Sequence, residues 1–258
     1  MARVAYDEEN PAVANSPPRD AREHWEDQAD AWLALTRSDP DYELLNKPSF
    51  LELVPPPGLL TLDLGCGEGR MARELRRRGH RVVGIDGSPS LAKSARRQDP
   101  PTATAVADVT RLPIGSHTAD LVVCFMVLMD VEELDRAVCE IARVLRPRGV
   151  VCAAIMHPIF TSGLFVDGDP YQTFSMGAYA TTMRHVLDVE RHNGERMVFR
   201  IEHRPIERYS RAFEQAGLAI THIREPLPSE AAVAEVPLFA NYRRVPEFLH
   251  LRAEPLGR

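Results

Sequence analysis

Short runs of apolar residues alternate with longer amphipathic stretches through the middle of the chain. Runs that are apolar at nearly every position are typical of strands covered on both faces of a sheet. The pattern predicts strands at 61–64, 81–86, 104–107, 120–125 and 150–156. Strands that alternate with helices favour a parallel sheet with right-handed crossovers. We therefore predict an α/β fold built on a doubly wound, mostly parallel sheet.

The predicted helices lie before and between these strands. An amphipathic helix is expected over 20–37, and a short helix over 49–53. After the fourth strand, Asp130 and Glu133 form a pair like a capping box. We expect a helix to begin there and to end before Pro147.

The chain after the fifth strand predicts a hairpin and two further strands. Asn193-Gly194 separates two strand-like runs, and Asn-Gly in that setting is a strong hairpin signal. The expected elements are hairpin strands at 182–190 and 196–202, a helix from about 206, a sixth strand at 218–223 and an antiparallel seventh at 245–251 with Pro246 at its start. The long connection at 225–244 is expected to cover a site.

A turn with three glycines (Gly65, Gly67 and Gly69) follows the first strand, and a helical pattern begins directly after it. Glycine permits positive φ and close approach of the backbone to a ligand, and the helix behind it offers free N–H groups. A dinucleotide fingerprint would need glycine where this chain has Arg70. Asp63 beside the turn would repel a pyrophosphate but suits a cationic ligand. A purely structural glycine turn is the alternative.

Residues 63–69, D-L-G-C-G-E-G, resemble motif I of the class I methyltransferases that depend on S-adenosylmethionine (SAM). Segments 203–209 and 244–249 resemble small-molecule members of that family, in the ubiquinone-biosynthesis-like and secondary-metabolite branches. The resemblance implies a Rossmann-like, seven-stranded sheet with SAM as the cofactor and S-adenosylhomocysteine as the product. It divides the chain into a flexible N-terminus (1–18), an N-terminal helical cap (19–54), a SAM-binding core (55–157), a substrate cap with the hairpin (158–203) and the C-terminal part of the core sheet (204–258).

The resemblance also assigns roles to residues at the strand ends. Asp86 would accept the ribose hydroxyls, as the acid after the second strand does in dinucleotide folds. Asp108 would bind the adenine amino group, and the Val109 amide the adjacent ring nitrogen. Trp25 would attract the sulfonium by a cation–π contact, with anchoring of its helix as the alternative. The full set predicted to bind the cofactor is Trp25, Asp63, Gly65, Cys66, Gly67, Asp86, Gly87, Asp108, Val109 and Phe125. Solvated acids at strand ends are the alternative for each acid taken singly.

Composition restricts the class of binding partner and the cellular compartment that we expect for this chain. The chain has 258 residues, is 44% hydrophobic and carries a formal net charge of −6, which disfavours nucleic acid as the main partner. Its four cysteines are scattered without disulfide or zinc spacing, so we expect a reducing cytoplasm and no metal site. No apolar run approaches 18 residues, which argues against a membrane partner.

Methyl transfer needs a base only where the acceptor atom carries a proton, and two histidines are candidates. His157 ends the fifth strand and His203 precedes a later helix at the same edge of the sheet. A capping or packing role is the alternative for both. The cap after the fifth strand carries Phe160, Phe165, Tyr171, Phe174 and Met176. These residues favour a small, partly apolar acceptor.

The expected reaction is methyl transfer from SAM to oxygen or nitrogen, with carbon left open. The absence of an Asn-Pro-Pro-Tyr type motif after the fourth strand argues against amide or exocyclic base nitrogens as acceptors. Two alternatives remain at this stage. One is a protein that binds SAM without transferring its methyl group, and the other is an NAD-dependent oxidoreductase. The acceptor, the pathway and the oligomeric state are not determined by these patterns.

Overall fold

The computed structural model describes residues 20–98, 101–166, 173–190 and 196–256. Within these ranges a sheet of seven strands forms the centre of the molecule. Its strands are β1 (Thr61–Leu64), β2 (Val82–Asp86), β3 (Ala103–Val106), β4 (Ala119–Phe125), β5 (Leu145–Met156), β10 (Leu218–Arg224) and β11 (Phe248–Pro255). Two antiparallel ribbons stand apart from it: β6 (Gly163–Phe165) with β7 (Phe174–Met176), and β8 (Met183–Glu190) with β9 (Arg196–His203).

The strand order is β10-β11-β5-β4-β1-β2-β3, and only β11 runs antiparallel to its neighbours. This confirms the predicted seven-stranded, mostly parallel Rossmann-like sheet. The chain order reverses direction at β1 and β4, so the carboxyl ends of these two strands form the crevice where such sheets bind ligands. The glycine turn after β1 therefore lies at the centre of the sheet edge.

Helices cover both faces of the sheet. They are α1 (Ala21–Asp27), α2 (Ala29–Leu35), α3 (Lys47–Leu53), α4 (Arg70–Arg77), α5 (Pro89–Arg97), α6 (Leu134–Val144), α7 (Pro158–Thr161), α8 (Ile206–Gln215), α9 (Glu230–Glu235) and α10 (Phe239–Tyr242), with a π-helical segment at Asp41–Asn46. Side chains of β1 and β4 are almost fully buried between these layers, as expected for central parallel strands. None of the helices in the described ranges is both long and apolar enough to cross a membrane.

Several predicted elements differ in detail from the structure, among them β5, which begins at Leu145 instead of at 150. The helix expected over 20–37 is two helices that meet at Gln28, whose side-chain oxygen accepts a hydrogen bond from the Val198 amide at 3.0 Å. The helix expected from Asp130 begins at Leu134, because the Asp130 side chain accepts a hydrogen bond from Trp25 instead of capping the helix. In both helices a contact distant in sequence replaces the local signal.

The last strand is also shifted from its prediction. It begins at Phe248 instead of Val245, so Pro246 lies outside the strand. The carbonyl of Glu247, just before the strand, accepts a hydrogen bond from the His157 amide at 2.7 Å. The hairpin is confirmed by the antiparallel pairing of β8 and β9, while its Asn-Gly turn lies outside the described residues, as do 1–19 and Tyr171. The connection at 225–244 contains α9 and α10.

Candidate functional site

The glycine turn after β1 has a backbone that other residues would strain. Gly65, Gly67 and Gly69 have φ of 64°, 54° and 84°, all in the left-handed region. A Cβ on Gly65 would lie 2.5 Å from Cγ2 of Val127, so this position also lacks room for a side chain. Beyond Gly69 the chain enters α4, whose first amides face the turn. The turn thus places backbone without side chains at the edge of the sheet.

Three acids stand at the ends of neighbouring strands around this turn. Asp63 in β1 is 1% exposed. Asp86 at the end of β2 accepts hydrogen bonds from the Gly67 amide at 2.7 Å and the Ser88 amide at 2.8 Å. Asp108 follows β3, and one of its oxygens accepts from both the amide and the hydroxyl of Thr110 at 2.8 Å. The acids therefore shape the turn and the two loops beside it.

A cavity of about 320 Å³ lies between this sheet edge and the N-terminal helices. All ten residues predicted to bind the cofactor line it: Trp25, Asp63, Gly65, Cys66, Gly67, Asp86, Gly87, Asp108, Val109 and Phe125. The structure therefore brings together residues that span 100 positions of sequence. A volume of this size is at the lower end of the range for small-molecule sites.

Burial raises the pKa values of the two carboxyls at the base of the cavity, those of Asp63 and Asp86. Burial raises the pKa of Asp63 to about 8, and the neighbouring Asp86 carboxylate adds to the rise. Oδ2 of Asp63 has no hydrogen-bond partner among the described residues. Burial also raises the pKa of Asp86, while the amides of Ser88 and Gly67 oppose that shift. A buried carboxyl with one unpaired oxygen suits a ligand that brings a donor or a positive charge.

The two predicted catalytic histidines do not line this cavity. His157 caps α7: its Nδ1 accepts from the Ile159 amide at 3.0 Å, and its Nε2 lies 2.8 Å from Oε1 of Glu225. Burial lowers the pKa of His157, although Glu225 acts in the opposite direction. Both ring nitrogens are therefore engaged by the protein.

His203, at the end of β9, is held in the same way. Its Nδ1 lies 2.7 Å from the Thr161 hydroxyl, and its Nε2 lies 2.9 Å from the Tyr179 carbonyl. The ring also packs edge-on against His185 and Tyr179. These contacts tie the cap to the hairpin, and they favour packing over proton transfer for His203.

The residues that line the cavity but were not predicted from the sequence include Arg22, Asp130 and Arg70. Arg22, from α1, crosses above Gly87 and approaches Asp108 to 3.8 Å. Asp130 is buried and holds the Trp25 indole, and burial raises its pKa while that hydrogen bond opposes the rise. Arg70, the residue that breaks the dinucleotide fingerprint, also lines the wall. No local sequence feature identifies Arg22 or Asp130 as a cavity residue. The position of Arg70 directly after the glycine turn could have identified it as one.

The residues present fit SAM. Its ribose would meet Asp86, and its adenine would meet Asp108 and the Val109 amide, at one end of the cavity. Its cationic amine would meet Asp63, whose Oδ2 has no donor among the described residues. The indoles of Trp25 and Trp32, which pack edge-to-face with centroids 5.4 Å apart, present aromatic surface to a sulfonium.

Comparisons with known proteins agree with this fit. Residues 62–153 match the family model described as a methyltransferase domain. Malonyl-[acyl-carrier protein] O-methyltransferase of Serratia marcescens is 33% identical over 116 residues, which cover 45% of this chain and 44% of that enzyme. Demethylmenaquinone methyltransferase of Renibacterium salmoninarum is 32% identical over 105 residues, covering 40% of this chain and 44% of that enzyme. The chain thus matches less than half the length of either relative.

A solved structure extends the similarity beyond the matched segment. The S-adenosylmethionine-dependent methyltransferase from Mesorhizobium loti superposes with a TM-score of 0.69 at 24% identity. The superposition covers 84% of this chain and 98% of that one. At this identity the likeness shows a shared fold, which includes elements outside residues 62–153.

Proposed function

We propose that this chain, whose residues 62–153 match a methyltransferase domain, binds SAM as its cofactor and transfers a methyl group to a small, partly apolar acceptor. The cavity carries the proposal. It places a glycine turn, three strand-end acids and two indoles around one space, and Arg70 stands where a dinucleotide fingerprint has its third glycine. These features suit a ligand that combines an adenosine with a cationic amino-acid end. They also disfavour the NAD-dependent alternative.

The protein's own part in such a reaction is to align the reactants and exclude water. SAM supplies a methyl group on sulfonium, and in-line displacement depends strongly on alignment. Trp25 and the glycine turn both line the cavity, and the hydrogen bond from Trp25 to Asp130 ties α1 to the loop after β4. We infer that the acceptor binds beside Met126, Val127 and Val131, whose apolar side chains also line the cavity.

The acceptor itself is proposed only by class. The two relatives are named for acceptors as different as malonyl-acyl-carrier protein and demethylmenaquinone, so they support methyl transfer without choosing an acceptor. In this chain Phe160 packs against Tyr242, and Phe165 packs against Phe174, in the segments beyond β5. Such aromatic pairs would suit an acceptor with an apolar body, and the oxygen or nitrogen nucleophile is proposed from the sequence resemblance.

Calorimetry and a labelling assay test the proposal. We expect S-adenosylhomocysteine to bind the purified chain at micromolar or tighter affinity and NAD not to bind. Gly67→Val is the matched control, because φ is 54° there and a Cβ would lie 3.2 Å from Nε1 of Trp32. It should lose binding while keeping the fold by circular dichroism. Binding of NAD in place of S-adenosylhomocysteine would overturn the cofactor assignment.

The same protein with methyl-labelled SAM and a metabolite extract then tests transfer. Label in a small product is the expected result. Tight binding of S-adenosylhomocysteine without any labelled product from extracts of several sources would favour the alternative of a SAM-binding protein that does not transfer methyl groups.

A further inference from the structure

The loop after β4 is a part of the cavity wall with an unusual backbone. Met126, its first residue, has φ of 60°, and His117 is the only other described residue besides glycine with a positive φ. The Met126 amide donates to the Ala154 carbonyl of β5 at 2.9 Å, which holds the chain in this sharp turn. Such a conformation is costly, and it is found where surrounding contacts impose it, often at functional sites. Residues 125–127 and 130–133 of this segment line the cavity.

The loop carries one buried acid, Asp130. Four acids that line the cavity are no more than 9% exposed, namely Asp63, Glu68, Asp86 and Asp130. Asp63 and Asp86 stand at the strand ends beside the glycine turn, and Glu68 is paired with Arg73 at 2.6 Å. Asp130 belongs neither to the strand ends nor to an ion pair with another described residue. Its place at the cavity wall therefore needs a separate explanation.

Contacts on both sides hold the Asp130 carboxyl in place. It accepts a hydrogen bond from Trp25, which also lines the cavity. The buried Arg204 fixes the backbone around it by donating to the carbonyls of Leu128 at 3.3 Å and Val131 at 2.6 Å. A carboxylate has about four acceptor positions, and Trp25 is its only donor among the described residues. Further acceptor positions of Asp130 are thus available to a ligand in the cavity.

We propose that Asp130 contacts the methyl acceptor and takes up the proton of its O–H or N–H group during transfer. The inference rests on the proposed function and deepens it, because it defines the acceptor as a compound with a hydroxyl or an N–H group. The acceptor atom forms a bond to the methyl carbon, and the bond from that carbon to sulfur breaks with its electron pair remaining on sulfur. The proton of the acceptor passes to the Asp130 carboxylate. A carboxylate acceptor would be repelled by this buried acid.

The groups around Asp130 suit it to proton transfer. Burial raises the pKa of Asp130 well above its ordinary value, and Glu202 of β9 adds to the rise, while Trp25 and Arg204 oppose it. Tyr209 of α8 is also nearby, and burial raises the pKa of its phenol to about 12, so it stays neutral near pH 7. A raised pKa makes the ionised carboxylate a stronger base. Methyl transfer should therefore rise with pH as Asp130 ionises.

A labelling assay with matched variants tests this role. The initial rate of label transfer is measured from methyl-labelled SAM, at saturating concentration, to one metabolite extract. Asp130→Asn keeps an oxygen that can accept from Trp25 but removes the base, so the rate should fall by about 10²- to 10⁴-fold. Its affinity for S-adenosylhomocysteine should stay within about threefold of wild type, because only transfer needs the base. Asp135→Asn on α6, where the side chain is 46% exposed and paired with Arg208, is the control and should leave both quantities unchanged.

The pH profile and the product separate a base from a structural residue. With SAM saturating, the wild-type rate should rise by up to about tenfold per pH unit and then level off, and Asp130→Asn should lack this rise. Mass spectrometry should identify the labelled product as a methyl ether or an N-methyl compound. A methyl ester or a methyl thioether as product would overturn the inference, since neither acceptor needs a base.

Two further outcomes are also decisive. An unchanged rate in Asp130→Asn, or a loss of rate matched by an equal loss of affinity for S-adenosylhomocysteine, would overturn the inference and leave Asp130 a structural residue. Binding of S-adenosylhomocysteine by the wild-type chain without any labelled product would instead contradict the proposed function.

Discussion

Asp63 shows how burial sets chemistry at the scale of one residue. Its carboxyl is buried beside the glycine turn, burial raises its pKa to about 8, and its Oδ2 has no partner in the described part of the chain. The folded chain therefore holds a proton that the unfolded chain releases at about pH 4. The free energy of unfolding should fall as pH rises from about 4 to about 8. A cationic amine bound beside Asp63 would reverse its preference and favour the ionised form.

The affinity for S-adenosylhomocysteine is therefore expected to depend on pH. Below pH 8 the bound amine must displace the Asp63 proton, so affinity should rise with pH by up to about tenfold per unit and level off above 8. Calorimetry in buffers of different ionisation enthalpy should detect up to one proton released per ligand near pH 7. Asp63→Asn should bind more weakly and show no such slope. A slope that persists in Asp63→Asn would assign the proton to another group.

The role of His157 is a second question at the residue scale. Its contacts favour capping of α7, whereas the sequence also predicted a base. Asparagine caps helices well and cannot act as a base at neutral pH. We expect His157→Ala to lower the melting temperature, and His157→Asn to restore it and keep methyl transfer within about threefold of wild type. Loss of about 10²- to 10⁴-fold in transfer in both variants would establish the base role.

At the scale of elements, Arg204 joins the hairpin to the loop after β4. It is 4% exposed and donates to the carbonyls of Leu128, Val131 and Glu132 at 3.3, 2.6 and 3.2 Å. The Glu202 amide adds a hydrogen bond to the Met129 carbonyl at 2.9 Å. The cap thus fixes the loop that carries Asp130 without touching the glycine turn.

Removal of this link should destabilise the fold more than the loss of a surface arginine. Arg204→Met leaves three carbonyls without their donor, so we expect the free energy of unfolding to fall by about 2–4 kcal/mol in urea titrations. Arg211→Met on α8, where the side chain is 60% exposed, is the control and should change it by less than about 0.5 kcal/mol. Equal effects of the two substitutions would contradict this account of the cap.

At the scale of the whole molecule, the N-terminal helices connect the sheet edge with the hairpin. Glu26 accepts from the Ser90 amide at 3.0 Å and the Ser90 hydroxyl at 2.6 Å, beside the second strand, and also from Ser88. On the other side, Nε2 of His24 lies 2.9 Å from the Val198 carbonyl of β9. A ligand in the cavity would therefore bind between the sheet edge and N-terminal helices that are also tied to the hairpin.

Ligand binding should stabilise the N-terminal helices together with the core. At 100 times its dissociation constant, S-adenosylhomocysteine should add about 2.7 kcal/mol to the free energy of unfolding. The melting temperature should rise by roughly 5–10 °C for a domain of this size. Hydrogen exchange should slow in residues 21–35 as well as in the glycine turn. A higher melting temperature without added protection in 21–35 would place those helices outside the ligand site.

The sequence by itself determined the sheet, the glycine turn and ten of the residues that line the cavity. Buried parallel strands have a characteristic apolar pattern, and their carboxyl ends share one edge in a doubly wound sheet. Residues at those ends, such as Asp63, Asp86 and Asp108, are brought together by topology alone. It could therefore be inferred that these acids share one site, without knowing any side-chain contact.

Only the tertiary structure decided the contacts between segments far apart in sequence. Trp25 pairs with Asp130, Arg70 with Asp39, and His157 with Glu225, and none of these pairs has a local signature. The same acid can cap a helix or hold an indole, and local propensities differ by less than the free energy of burying a polar group with its partner. Tertiary packing therefore decided the roles of Asp130 and Arg70. It also placed hydrogen-bond partners beside both ring nitrogens of His157.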